Sequence, residues 1–92
     1  MKPILITTLH KGVWYAEVEP TADLSQKTLT NLKGCRMAIY WGTERGLHQL
    51  CLTGPTKTSK ISDAADIAVL HDVTAVFAVS PAAAENWKTW KA

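Results

Sequence analysis

Apolar residues fall along this chain in short runs separated by glycine, proline and polar clusters, and the runs have the length and β-branched character of strands. Ile4-Leu5-Ile6-Thr7-Thr8-Leu9, bounded by Pro3 and by Lys11-Gly12, predicts a strand that ends in a tight turn at His10-Lys11-Gly12. Val13 to Glu19 leaves that turn with partial alternation and stops at Pro20, which completes an N-terminal hairpin. After a polar loop over 21–25, Lys27 to Leu32 predicts a weaker strand, Lys33-Gly34 a turn or bulge, and Arg36 to Trp41 the central strand.

Gly42 to Gly46 is then a loop between two glycines. Leu47 to Leu52 is ambiguous: Leu47, Leu50 and Cys51 fit one helical turn, whereas His48 and Gln49 break strict alternation, so a short helical turn is the better fit. Gly54 to Lys60 is a polar loop, and Asp66 to Leu70 and Ala75 to Val79 are two further strands. Ser80-Pro81 is the clearest helix start in the chain, with serine as N-cap and proline at the first helical position. The helix predicted from there to Lys91 places Ala83, Trp87 and Trp90 on one face, which something must cover. Five or six short strands and a C-terminal α-helix make the fold class mainly β. The expected form is a small, curved antiparallel sheet or SH3-like barrel with the helix packed at one open end.

Ninety-two residues bound this to a single domain over 1–92, and 47% hydrophobic with 20% charged residues is the composition of a globular chain. A net charge of +2 lacks the clustered basicity of a duplex-DNA binder, so nucleic acid is not indicated. No apolar run approaches the roughly 18 residues of a membrane span. The three apolar residues of Ile4 to Ile6 are too few for a signal-peptide core, so the expected location is the cytoplasm of the cell that makes the protein. Cys35 and Cys51 lack a CxxC spacing and read as buried small hydrophobes rather than a disulfide.

No motif of recognised chemistry is present. Ser62, His71 and Asp72 supply the residue types of a hydrolytic triad, but no nucleophile elbow frames a serine. His10, His48, His71, Cys35 and Cys51 show no metal-ligand spacing. The segment Gly54-Pro55-Thr56-Lys57-Thr58-Ser59-Lys60 lacks the Gly-Lys-Ser/Thr ending of a phosphate-binding loop. Its two lysines and three hydroxyls can still hold an anion, the alternative being a solvated turn. Arg36, in an apolar strand, is either paired structurally or turned into a cavity where its planar fork grips a phosphate or carboxylate. Four tryptophans are many for this length, and aromatic surface left over from a small core settles at interfaces.

Thr7, Gly12-Val13, Leu32, Arg36, Ile39-Tyr40-Trp41, Leu47, Gln49-Leu50, Gly54, Lys60, Ile67 and a tryptophan near the C-terminus together resemble a family of short uncharacterised proteins from tailed phages and prophages. The resemblance covers nearly the whole chain and implies a phage accessory protein without catalytic residues. Where such proteins often carry two adjacent basic residues, this chain has Arg36-Met37, which argues against a role needing a doubled charge.

The expectation is therefore a non-enzymatic accessory protein without a cofactor. It binds and sequesters a small anionic ligand, plausibly a nucleotide signal of host immunity, in the host cytoplasm. Its expected ligand site is His10, Lys11, Arg36, Trp41, Thr56, Lys57, Ser59 and Lys60, and its expected interface, in a homo-oligomer, is Trp87 and Trp90. The alternative is a protein-interaction or virion-associated component with no small-molecule ligand.

Overall fold

The computed structural model describes residues 1–9, 12–41 and 46–91. Six strands and two helices follow in the order β1 (Lys2–Thr8), β2 (Val13–Val18), β3 (Leu29–Tyr40), α1 (Leu47–Leu52), β4 (Lys60–Ile61), β5 (Ala65–Leu70), β6 (Val73–Ala78) and α2 (Pro81–Thr89). All strand pairs are antiparallel. The sheet runs β4-β3-β2-β1-β6, and β5 pairs with β3 as well. It curves without closing, so the curved sheet is the form adopted and the barrel is not.

The two strands expected over 27–41 are one twelve-residue strand, bent rather than broken at Lys33-Gly34. Gly34 has φ +56°, a conformation that a side chain resists, and its N–H donates to Asp66 Oδ1 at 3.0 Å. The β3–β5 register shifts between Leu32 and Cys35 at this bend. Its first half therefore pairs with β5, and its second half with β4.

Side chains alternate between two apolar clusters. Leu5, Val13, Tyr15 and Val79 face one side with Leu50, Ala83 and Trp87 of the helices. Ile4, Ile6, Ala16 and Val18 face the other, with Leu29, Leu32 and Cys35 of β3 and the half-buried Ile67 and Leu70 of β5. Both faces of β1 and β2 are thus covered, which is why Ile4-Leu5-Ile6 is apolar without interruption. In β6 the alternation slips. Thr7 pairs with Ala75 but Thr8 with Val73, so Thr74 is an extra, bulged residue, and Val73 and Val76 come to the same face three positions apart.

α2 begins as the sequence predicts, with Ser80 Oγ accepting from the Ala83 N–H at 3.1 Å and Pro81 in the first turn. Trp87 is 0% exposed and stacks on Tyr15 with ring centroids 5.4 Å apart. This corrects the expectation that Trp87 is an interface residue: its ring is inside the chain's own core. Trp90 packs half-buried against the same cluster.

Candidate functional site

Of the expected ligand residues, the structure describes Arg36, Trp41, Thr56, Lys57, Ser59 and Lys60, and the pairing of Lys60 with Tyr40 sets the 56–60 loop beside the end of β3. His10 and Lys11 lie outside the described residues, as does the loop at 42–45. Arg36 is 5% exposed, on the helix-facing side of β3 opposite Tyr15. Its Nε donates to the Ser62 carbonyl at 2.9 Å and its Nη1 to the Trp87 carbonyl at 2.8 Å. That second carbonyl belongs to the last turn of α2, where backbone oxygens lack partners and a cation is favoured. Arg36 is therefore a clamp between the sheet and the helix end, in place of the expected ligand fork.

Thr56 to Ser59 closes on itself. The Ser59 N–H donates to the Thr56 carbonyl at 2.9 Å, and Ser59 Oγ accepts from the Thr56 N–H at 3.2 Å. Lys57 and Lys60 stay exposed on the surface, and Trp41 packs half-buried against the helix-side core. The solvated turn is the reading this geometry fits.

A different concavity lies along the free edge of β6. β6 pairs with β1 on one side and is the last strand of the sheet on the other, and a groove of about 560 Å³ is lined by β6, by the segment 24–27 and by Lys2, Pro3 and Ile4 at the start of β1. Val73, Val76 and Leu24, all half-buried, are apolar parts of its lining, and Phe77 is the only aromatic residue among the described lining residues. Leu24 to Lys27 form the opposite wall. That wall is ordered by Asp23, whose Oδ1 accepts from the Ser25 hydroxyl at 2.6 Å and the Ser25 N–H at 3.0 Å, while Oδ2 accepts from Gln26 at 3.2 Å. These bonds, led by the Ser25 hydroxyl, hold the Asp23 carboxyl down to about 2.

The groove's charge is one-sided. Among the described lining residues Lys2 and Lys27 carry the charge and none is a carboxylate, the Asp23 carboxylate being turned to Ser25 and Gln26 behind the wall. Among the described residues neither ammonium has an ion-pair partner, both ion pairs being Lys33 with Asp66 and Lys88 with Glu17. The two lysines bracket β6. The Val73 N–H donates to the Lys27 carbonyl at 2.9 Å at one end, while Lys2 precedes by two residues the Ile4 that pairs with Ala78 at the other.

The sequence reading missed this site because it is made by topology. Lys2, Lys27 and β6 come together only when the last strand returns to the first, and Lys27 by itself reads as a solvated strand end. Its legible trace was Asp23-Leu24-Ser25, a polar turn carrying one apolar residue.

No group of histidine, cysteine or acidic residues among the described ones is placed to hold a metal ion. No described helix is long and apolar enough to cross a membrane. Fold and groove define the molecule as a small, mainly β module whose central strands are covered on both faces and whose last strand, β6, borders a groove. The chain belongs to a family described as a domain of unknown function (DUF6948), whose model matches residues 1–87. No curated protein and no solved structure matches it.

Proposed function

We propose that this chain is a non-enzymatic binding module that takes up an anionic ligand with an apolar body in the groove beside β6. The observation carrying this reading is the lining itself, two lysines without an ion-pair partner among the described residues, set over apolar side chains with no carboxylate among the described lining residues. An apolar concavity of a few hundred Å³ with a few polar groups at its rim is the usual form of a small-ligand site. Set beside the resemblance to phage proteins, the reading makes the chain an accessory factor that sequesters an anionic component of the host. A nucleotide signal belongs to that class, and among the described lining residues Phe77 is the ring that could stack a base.

Calorimetric titration with octanoate and with mono-, di- and cyclic nucleotides tests it, alongside acidic peptides. Binding of at least one probe is expected, weakened about tenfold or more by the double substitution Lys2→Glu and Lys27→Glu. Binding that ignores the double substitution, or no binding by any probe, overturns the reading.

A further inference from the structure

We infer that the ligand of the β6 groove is an extended acidic peptide segment of a partner protein, which adds to β6 as a further strand. This rests on the proposal that the groove is the binding site and names what fills it.

The first ground is the edge. In an antiparallel pair every second residue directs its N–H and C=O away from its partner, so a strand with one neighbour presents unpaired backbone groups along its other side. β6 is in that position from Thr74 to Ala78: β1 lies on one side, and on the other the described residues take up only its first N–H, that of Val73, through the Lys27 carbonyl. Such a row is matched by another extended backbone, and the side chains of the added strand then supply specificity.

The second ground is the spacing of charge. From Val73 to Ala78 the strand rises through five steps, about 17 Å at 3.3 Å per residue. Lys27 stands at one end of that span and Lys2 beyond the other. A small anion meets one ammonium; an extended chain with carboxylates about six residues apart, and so on one face of the added strand, reaches both. A second copy of this chain is disfavoured in the same place, because pairing β6 with β6 brings four lysines together with no carboxylate among the described lining residues to offset them.

The test uses acetylated nine-residue peptides with glutamate at the second and eighth positions, on one face of the strand, and varied valine, isoleucine and threonine between. Each is matched by versions N-methylated at alternate nitrogens in either phase, and by a version with lysine for both glutamates. Binding is followed through the amide resonances of residues 73–79. The acidic peptides are expected to shift those resonances and to slow their amide exchange. N-methylation is expected to abolish binding in one phase only, and the lysine peptides to bind only the Lys2→Glu, Lys27→Glu protein.

Equal binding of both N-methylated phases overturns strand addition. So does a shift of residues 73–79 by octanoate or a nucleotide with none from any acidic peptide, an outcome that leaves the groove proposal standing. Silence from every probe removes both.

Discussion

The helix side of the sheet and the β6 edge treat backbone polar groups in opposite ways. At the end of α1, four successive carbonyls are taken up by the start and body of α2. Leu50 accepts from Trp87 Nε1, Cys51 from the Ser80 N–H, Leu52 from Ser80 Oγ and Thr53 from Asn86 Nδ2, all at 2.8–3.0 Å. Arg36 then takes up a carbonyl at the far end of α2. Helix ends are where backbone groups lack internal partners, and here side chains of the neighbouring element supply them. Along β6 the opposite holds: a backbone edge and half-buried valines border an open groove. The covered side is organised for stability, and the open edge has the form of a place for something else to bind.

The largest test of that contrast is Trp87→Ala. The ring is fully buried, stacked on Tyr15 and hydrogen-bonded to Leu50, so its removal leaves a cavity and an unpaired carbonyl. A loss of about 3–5 kcal/mol is expected from denaturant unfolding. A loss under about 1 kcal/mol would show that α2 does not seal the core.

Next comes Arg36→Met, which keeps the apolar stem and deletes the guanidinium. Two charge-assisted hydrogen bonds go, and the expected cost is about 2–3 kcal/mol. Arg36→Lys should recover at most part of it, since an ammonium lacks the fork that reaches both carbonyls. If Arg36 held a solute instead, Arg36→Met would leave unfolding unchanged.

Much of the covered side was legible in the sequence, and most of the open side was not. Ser80-Pro81 announced α2, Ala83 and Trp87 its buried face, and Leu47 to Leu52 a helical turn, because capping and helical spacing are local signals. Arg36 was legible as an anomaly, but its partners lie 26 and 51 residues away and no local pattern carries that. β3 was read as two strands because a glycine in a strand marks a bend or a break alike. The pairing with Asp66 across the sheet decides for the bend. The surplus of tryptophan, expected to supply an interface, is absorbed differently. Trp14, Trp41 and Trp90 pack half-buried against the two clusters and Trp87 fills one of them, so aromatic content alone no longer argues for an oligomer.

Alkaline pH probes the covered side more gently. Burial, then the hydrogen bond to Glu17, pushes the Tyr15 hydroxyl well above its ordinary value near 10, and burial raises the thiols of Cys35 and Cys51. A group whose folded pKa is raised contributes its stability fully below the unfolded pKa and loses it as pH rises through the folded one. The melting temperature is therefore expected to hold between about pH 6 and 8 and to fall above about 9. Tyr15→Phe should flatten the part of that fall beyond about pH 10. A melting temperature that rises with alkali would contradict the burial of all three groups.

The smallest expected effect on stability belongs to the other side of the comparison. Lys2 and Lys27 make no ion pair among the described residues, and Lys27 is exposed, so reversing both charges breaks no described ion pair. Surface substitutions of this kind change stability by within about 0.5 kcal/mol. The double variant Lys2→Glu, Lys27→Glu is thus expected to unfold at the wild-type denaturant midpoint while losing its anionic ligands in titration. A stability loss of 2 kcal/mol or more would instead make the lysines part of the fold, protecting the β6 edge from unwanted pairing as charged residues at sheet edges do. The two measurements separate because a guard residue is judged by what the free protein does without it, through aggregation or unfolding. A binding residue is judged by what the folded protein can no longer hold.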